Sequence, residues 1–218
     1  MMTDQEILSR VDHTLLKATA DWKGIARLCD EAEQYKTASV CIPPSFVMPV
    51  HEAYGDRVTI CTVIGFPLGY NIAAAKVLET ERAIRSGAKE IDMVINLGDV
   101  KSGHFDWVNE EIALVRKAAA DKILKVIIET CYLTEDEKIR LCGIVTEAGA
   151  DFIKTSTGFG SAGAVLSDIP LFKKHIGSNV KIKAAGGIRT REDFEAFINA
   201  GADRIGTSSA VALLTSKE

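Results

Sequence analysis

Lys154 closes the run Asp151-Phe152-Ile153-Lys154-Thr155-Ser156-Thr157-Gly158, where apolar residues give way to hydroxyls and glycine. Val180-Lys181-Ile182-Lys183-Ala184-Ala185-Gly186-Gly187 repeats the plan: a short apolar stretch, a lysine near its end, then small residues. A lysine at a strand's end is placed to face a cavity. An ordinary lysine, with a pKa near 10.4, is a neutral amine only about once in 2,500 molecules at pH 7. A second ammonium nearby, together with desolvation, lowers that value by roughly 3 units and makes the amine a usable nucleophile. Two such lysines side by side point to chemistry on a carbonyl group. The plainer reading is a pair of solvated rim lysines, and the glycine-bearing segment after each favours the former.

Carboxylates complete the set. Asp92 lies inside the apolar stretch Ile91-Asp92-Met93-Val94-Ile95, where an unpartnered charge is costly. An ion pair with a lysine and proton transfer to a substrate are compatible roles for it. Asp12 is a second inward candidate, with a turn or cap as the alternative. Glu129 ends Val126-Ile127-Ile128-Glu129 and is placed to pair with a lysine, whereas Lys125 falls nearer the middle of that stretch. Gly186-Gly187 and Gly206-Thr207-Ser208-Ser209 offer freed backbone N–H groups and hydroxyls suited to a phosphate dianion. Phe66, in Gly65-Phe66-Pro67-Leu68-Gly69, is a candidate pocket wall, and Cys41, before Pro43-Pro44, a candidate pocket residue. No histidine has an obvious claim on that thiol, which argues against nucleophilic use.

These residues must be held by strands. Apolar β-type runs recur at Val11–Leu15, Ala38–Ile42, Val58–Val63, Glu90–Ile95, Ile123–Ile128, Asp151–Lys154, Val180–Ala184 and Asp203–Gly206. Helical patterns separate them. Asp21 caps one, Val108, Ile112, Val115 and Ala119 mark another, Thr134 and Glu137 form a capping box, and Thr190 opens a fourth. Strands alternating with helices over the whole chain predict an α/β fold, a (β/α)8 barrel of one domain, residues 1–218, with a short N-terminal helix. A doubly wound open sheet is the alternative pattern.

A weak repeat sharpens the barrel reading. Gly87-Ala-Lys-Glu-Ile-Asp92, Gly149-Ala-Asp-Phe-Ile-Lys154 and Gly201-Ala-Asp-Arg-Ile-Gly206 each end a helix with glycine and start a strand. In a barrel, the side chains of one layer come from alternate strands. Asp92 and Lys154 therefore share a height, with Gly206 leaving a gap, and Lys183 arrives on the strand next to Lys154.

Composition excludes several classes. The chain of 218 residues is 47% apolar and 26% charged with a net charge of −4, which suits one globular core and argues against nucleic-acid or membrane partners. Five cysteines without a CxxC pair suit a reducing, cytoplasmic setting, and four isolated histidines argue against a metal site. The polar start, Met1 to Arg10, lacks the apolar region of a signal peptide.

Taken together, Asp12-His-Thr-Leu-Leu16, Val40-Cys-Ile-Pro-Pro44, Thr62 to Gly69, Glu90 to Asn96, Lys125 to Thr130, Phe152 to Phe159, Lys183 to Arg189 and Arg204 to Ser209 resemble, in order, the deoxyribose-phosphate aldolases. The resemblance runs over essentially the full length. It implies a class I aldolase that cleaves 2-deoxy-D-ribose 5-phosphate to acetaldehyde and D-glyceraldehyde 3-phosphate, in deoxyribonucleoside catabolism. It also implies Lys154 as Schiff-base lysine, Lys183 as its pKa-lowering partner and Asp92 as proton-relay acid. Gly186, Gly187, Ser208 and Ser209 then match phosphate-binding positions, joined by Thr157 and Gly158, with Asp12, Thr14, Leu16, Cys41 and Phe66 around the pocket. No metal or other cofactor is implied, and a homodimer is a family-level expectation. Some relatives carry lysine at the position of Phe159 and end in a tail with a terminal tyrosine. Here the sequence ends Lys217-Glu218 and its last tyrosine is Tyr132. Two rivals remain at this stage: a Schiff-base lyase for another sugar phosphate or keto acid, and a non-catalytic phosphate-binding barrel.

Overall fold

The computed structural model describes residues 2–215. Eight strands, β1 (Val11–Thr14), β2 (Ser39–Ile42), β3 (Ile60–Ile64), β4 (Glu90–Val94), β5 (Ile123–Ile127), β6 (Phe152–Lys154), β7 (Lys181–Ala185) and β8 (Arg204–Thr207), follow one another in a closed barrel. Their bounds differ from the expected ones by no more than two residues. The parallel pairing of β1 with β8 closes the ring and removes the open-sheet alternative.

Helices α1 (Asp4–Leu8), α2 (Trp22–Tyr35), α3 (Val47–Tyr54), α4 (Ala73–Arg85), α5 (Leu97–Lys101), α6 (Phe105–Ala119), α7 (Glu135–Glu147), α8 (Asp168–His175), α9 (Arg191–Ala200) and α10 (Ala210–Thr215) surround it. The expected caps are in place: Asp21 accepts from the Gly24 amide, Thr134 and Glu137 form a capping box, and Thr190 forms one with Asp193. Each cap satisfies amide groups the helix cannot, an effect of about 1 kcal/mol. The three repeat glycines, Gly87, Gly149 and Gly201, all take positive φ where a helix hands over to a strand. Among the described residues no helix is long and apolar enough to cross a membrane.

The hydrophobic core is a ring rather than a centre. Side chains that point outward from the strands, such as Ile91, Met93, Leu124, Val126, Ile153, Ile182 and Ile205, pack under the helices. Strands buried on both faces account for the continuous apolar runs in the sequence.

Inward-pointing residues are mostly polar, and register assigns their heights. Asp92 pairs with Lys125 and Lys125 with Phe152, so Lys154 lies two residues further along β6. The same two-residue step leads from Lys154 through Lys183 and Arg204 to Gly206. From Gly206 it runs through Asp12 and Ser39 to Cys41, and from Cys41 through Cys61 and Glu90 back to Asp92. Cys41, Asp92, Lys154 and Gly206 therefore form one layer on the even strands. Asp12, Cys61, Lys125 and Lys183 form the layer beneath on the odd strands, and Ser39, Glu90, Phe152 and Arg204 the one below that. The position of Gly206 is not an open gap: a Cβ there would meet Lys183 Cε at 3.1 Å and Ala185 Cβ at 2.9 Å. The Lys183 side chain fills that space.

Candidate active site

Asp92 is fully buried, and its two oxygens divide the surrounding cations. Oδ2 accepts from Lys154 Nζ and from Lys183 Nζ, both at 2.6 Å. Oδ1 accepts from Lys125 Nζ at 2.9 Å and from the Cys61 thiol at 3.1 Å. The two ammonium groups on Oδ2 can be no further apart than those two contacts laid end to end. Asp12, also buried, pairs with Lys183 and, at 2.5 Å, with Arg204. Glu90 holds Lys125 at 2.6 Å and Arg204 at 3.3 Å.

Burial alone would protonate these carboxylates. The lysines and Arg204 outweigh it, and both Asp12 and Asp92 are held well below the usual carboxylate range. For Lys183, burial favours the neutral amine, but Asp12 and Asp92 outweigh burial and push it above the usual lysine range. Lys125 is raised in the same way, chiefly by Asp92 against its own burial. Lys183 is thus a fixed cation beside Lys154.

A cleft of about 390 Å³ opens above Lys154 at the carboxyl ends of the strands. Its lining includes Thr14, Leu16, Thr157, Gly158, Gly186, Gly187, Ser208 and Ser209, all singled out from sequence. Asp12 and Cys41 are not on the lining, because both lie fully buried in the layers below. Phe66 stands beside it, packed edge-on against Phe159 with ring centroids 5.3 Å apart. Leu16 and Phe66 also cover the buried Cys41, Cys61 and Val63.

Backbone contact shapes the cleft. A Cβ on Gly186 would lie 3.0 Å from Gly163 Cα and 3.3 Å from Gly158 Cα, and Gly186 has φ +85°. Glycine is required there so that the loops after β6 and β7 can touch. The Ala164 amide donates to Ala185 and Gly186 carbonyls across the same contact. Glu129 pairs with no lysine among the described residues. In a left-handed conformation, φ 52°, it accepts from the Thr157 amide at 3.1 Å and from the Thr157 hydroxyl. The Thr157 hydroxyl also accepts from the Phe159 amide, so it is engaged as both donor and acceptor.

Sequence reasoning gave Glu90, Lys17 and Arg189 no role and placed Lys125 only near the middle of its strand. Lys125 and Glu90 sit in the buried cluster, and their inward direction follows only from register with Asp92 and Cys61. Lys17 and Arg189 are exposed on the cleft lining, and no acidic side chain lines it with them. Cys41, Cys61 and Asp92, and likewise Asp12, Cys61 and Glu90, bring donor atoms within 4.8 Å of one another. Their carboxylates already face lysine and arginine cations, so a metal ion would have to displace ammonium groups; the donor set does not fit one. Residues 216–218, which include the Lys217-Glu218 end, lie outside the described residues.

A family profile described as "DeoC/LacD family aldolase" matches residues 4–215. A deoxyribose-phosphate aldolase of Clostridium botulinum (strain Alaska E43 / Type E3) is 60% identical over 217 residues, covering 100% of this chain and 98% of that protein. Among solved structures, one described as "QR15, an Aldolase" superposes with a TM-score of 0.92 at 40% identity, over 96% of this chain and 94% of that one. The tetrameric deoxyribose phosphate aldolase of Aeropyrum pernix superposes with a TM-score of 0.91 at 32% identity, over 98% and 92%. With the profile spanning nearly every residue and such relatives matching end to end, this chain belongs to the DeoC/LacD family of aldolases.

Proposed function

We propose that the cleft reversibly cleaves 2-deoxy-D-ribose 5-phosphate to acetaldehyde and D-glyceraldehyde 3-phosphate through a Schiff base on Lys154. The observation that carries this reading is a lysine opening onto a cleft of about 390 Å³, with Asp92 shared between it and the buried cation Lys183.

The neutral amine of Lys154 attacks the C1 aldehyde of the open-chain sugar, and the carbinolamine loses water to give a protonated imine. That imine is the electron sink, and no metal is part of the proposed reaction. Asp92, an anion within hydrogen-bond reach of both lysines, takes the C3 hydroxyl proton directly or through one water. The C2–C3 bond breaks, because acetaldehyde retains only C1 and C2, and its electron pair enters the enamine. Glyceraldehyde 3-phosphate leaves, C2 is protonated, and water releases acetaldehyde from Lys154. Lys183 serves as the fixed cation that the developing charges need, in a site closed to bulk water below.

The phosphate belongs at the loops after β7 and β8. Backbone amides around Gly186-Gly187, the Ser208 and Ser209 hydroxyls, and the side chains of Lys17 and Arg189 face that end of the cleft. With Phe159 instead of a lysine on the β6 loop, Lys17 is the cation that the β1 end supplies. A homodimer is carried over as the family-level expectation for assembly, and light scattering tests it.

Reduction with borohydride in the presence of acetaldehyde, followed by peptide mass analysis, tests the mechanism. An ethyl adduct on Lys154 is expected, and an adduct confined to another residue refutes it. Turnover of deoxyribose 5-phosphate against other aldose and ketose phosphates tests the substrate. Clearly faster cleavage of another sugar phosphate removes the specific assignment.

A further inference from the structure

Charge does not balance in the buried interior. Lys125, Lys154, Lys183 and Arg204 face Asp12, Glu90 and Asp92, four cations against three carboxylates. Of the two cysteines that face the same interior, Cys61 is kept an uncharged thiol by burial, whereas Cys41 is shifted toward the thiolate by its hydrogen bond with Cys61 but lies fully buried off the cleft; Glu129 is turned away onto Thr157. One positive charge in excess, removed from water, is costly, and loss of one proton relieves it. Arg204 cannot supply that proton. Lys125 is held by Asp92, Glu90 and, at 3.6 Å, Asp12, and Lys183 by Asp12 and Asp92. Lys154 touches one carboxylate and is the only one of the three lysines on the cleft lining, with a path for its proton to solvent.

We infer that Lys125 and Glu90, which touch neither Lys154 nor the cleft, are charge-setting residues that fix the pH at which Lys154 becomes the attacking amine. This rests on the Schiff-base reading above. It makes a signed claim: deleting a buried cation removes the excess and leaves Lys154 protonated to higher pH, whereas deleting a buried carboxylate enlarges the excess and frees the amine at lower pH.

The experiment is the rate of cyanoborohydride trapping of acetaldehyde on the full chain as a function of pH, with the modified peptide identified by mass. Lys125→Gln and Lys125→Met are expected to move the acid limb of that profile up by about one pH unit, and Glu90→Gln to move it down by a comparable amount. All three should still carry the adduct on Lys154. A purely structural role would lower the amplitude in every variant without moving the limb. An unmoved limb, or movement of both classes in the same direction, overturns the inference. Should the Lys125 variants fail to fold, Glu90→Gln decides alone: a downward shift supports the inference and an unmoved limb overturns it. A wild-type chain that traps acetaldehyde only elsewhere sinks the Schiff-base reading together with this one, whereas trapping at Lys154 with unmoved limbs sinks this one alone.

Discussion

Three lysines point into one barrel, and their surroundings give them different work. Lys183 and Lys125 are enclosed by two and three carboxylates, while Lys154 shares a single carboxylate oxygen and opens onto the cleft. Lys154→Ala is expected to lower kcat by roughly 10^4-fold or more and to leave no trapped adduct, because no other amine lines the reacting end. Retained turnover would place the nucleophile elsewhere. Lys183→Leu removes the cation that competes with Lys154 for Asp92 Oδ2. The rate should fall and the acid limb of the rate profile should move to higher pH, so an unmoved limb contradicts a charge role. At the phosphate end, Lys17 is exposed and forms no ion pair among the described residues. Lys17→Ala should raise KM for the phosphorylated sugar roughly tenfold, about the effect of one charge-assisted hydrogen bond. Cleavage of unphosphorylated deoxyribose should be unchanged, and an equal loss on both would argue for a general structural effect.

Strands hold the chemistry at fixed heights, and loops meeting backbone to backbone set the cleft's shape. Gly163 shows how little room there is: a Cβ there would lie 2.1 Å from the Gly186 carbonyl oxygen. Gly163→Ala is expected to cost about 1–3 kcal/mol in urea unfolding, as overpacking does. Because the displaced Gly186 loop is the proposed phosphate seat, KM should rise more than kcat falls, and the reverse split would mean the reacting layer moved instead. Much of this element level was legible in the chain. The strands announced themselves as apolar runs because both faces are buried, and the clearest helices announced themselves by Asp21, Thr134 and Thr190. Helix α4 did not. Its start, Ile72, makes no side-chain cap, and its inward face carries Lys76 and Thr80 where an apolar stripe would be read. Lys76 belongs there because Glu111 on α6 meets it at 2.6 Å and the Val94 carbonyl accepts from it at 2.8 Å, contacts between residues far apart in sequence. Lys125 was legible only as a mid-strand lysine for the same reason, since its inward direction depends on pairing with Asp92 one strand away. Glu129 was placed correctly at a strand's end, but its left-handed backbone turned it from the lysines to Thr157, which strand periodicity cannot show.

At the scale of the molecule, an apolar ring encloses a charged centre, so stability is tied to pH through that centre. Asp12 and Asp92 have folded-state values depressed below the unfolded ones. Their contribution is therefore fully present above about pH 4 and is lost as pH falls further toward the folded values. Lys125 and Lys183 are raised, so their contribution is fully present below about pH 10.4 and is lost as pH rises through the folded values. Between those edges these groups predict a flat stability profile. Asp12→Asn tests the acid edge. It leaves Lys183 and Arg204 with less countercharge in a dry interior, and the plateau should drop by about 3–5 kcal/mol, the usual cost of breaking a buried pair. It also removes one proton taken up on acid unfolding. Below about pH 4 the slope of unfolding free energy against pH should then be smaller than that of the wild type, by about 0.7 kcal/mol per pH unit near pH 4 and approaching about 1.4 as pH falls toward 3. Urea titrations at half-unit steps from pH 3 to 7 read both quantities. A lowered plateau with an unchanged slope would mean that Asp12 is already protonated in the folded barrel, and the charge count on which the protonation of Lys154 is argued would have to be redone.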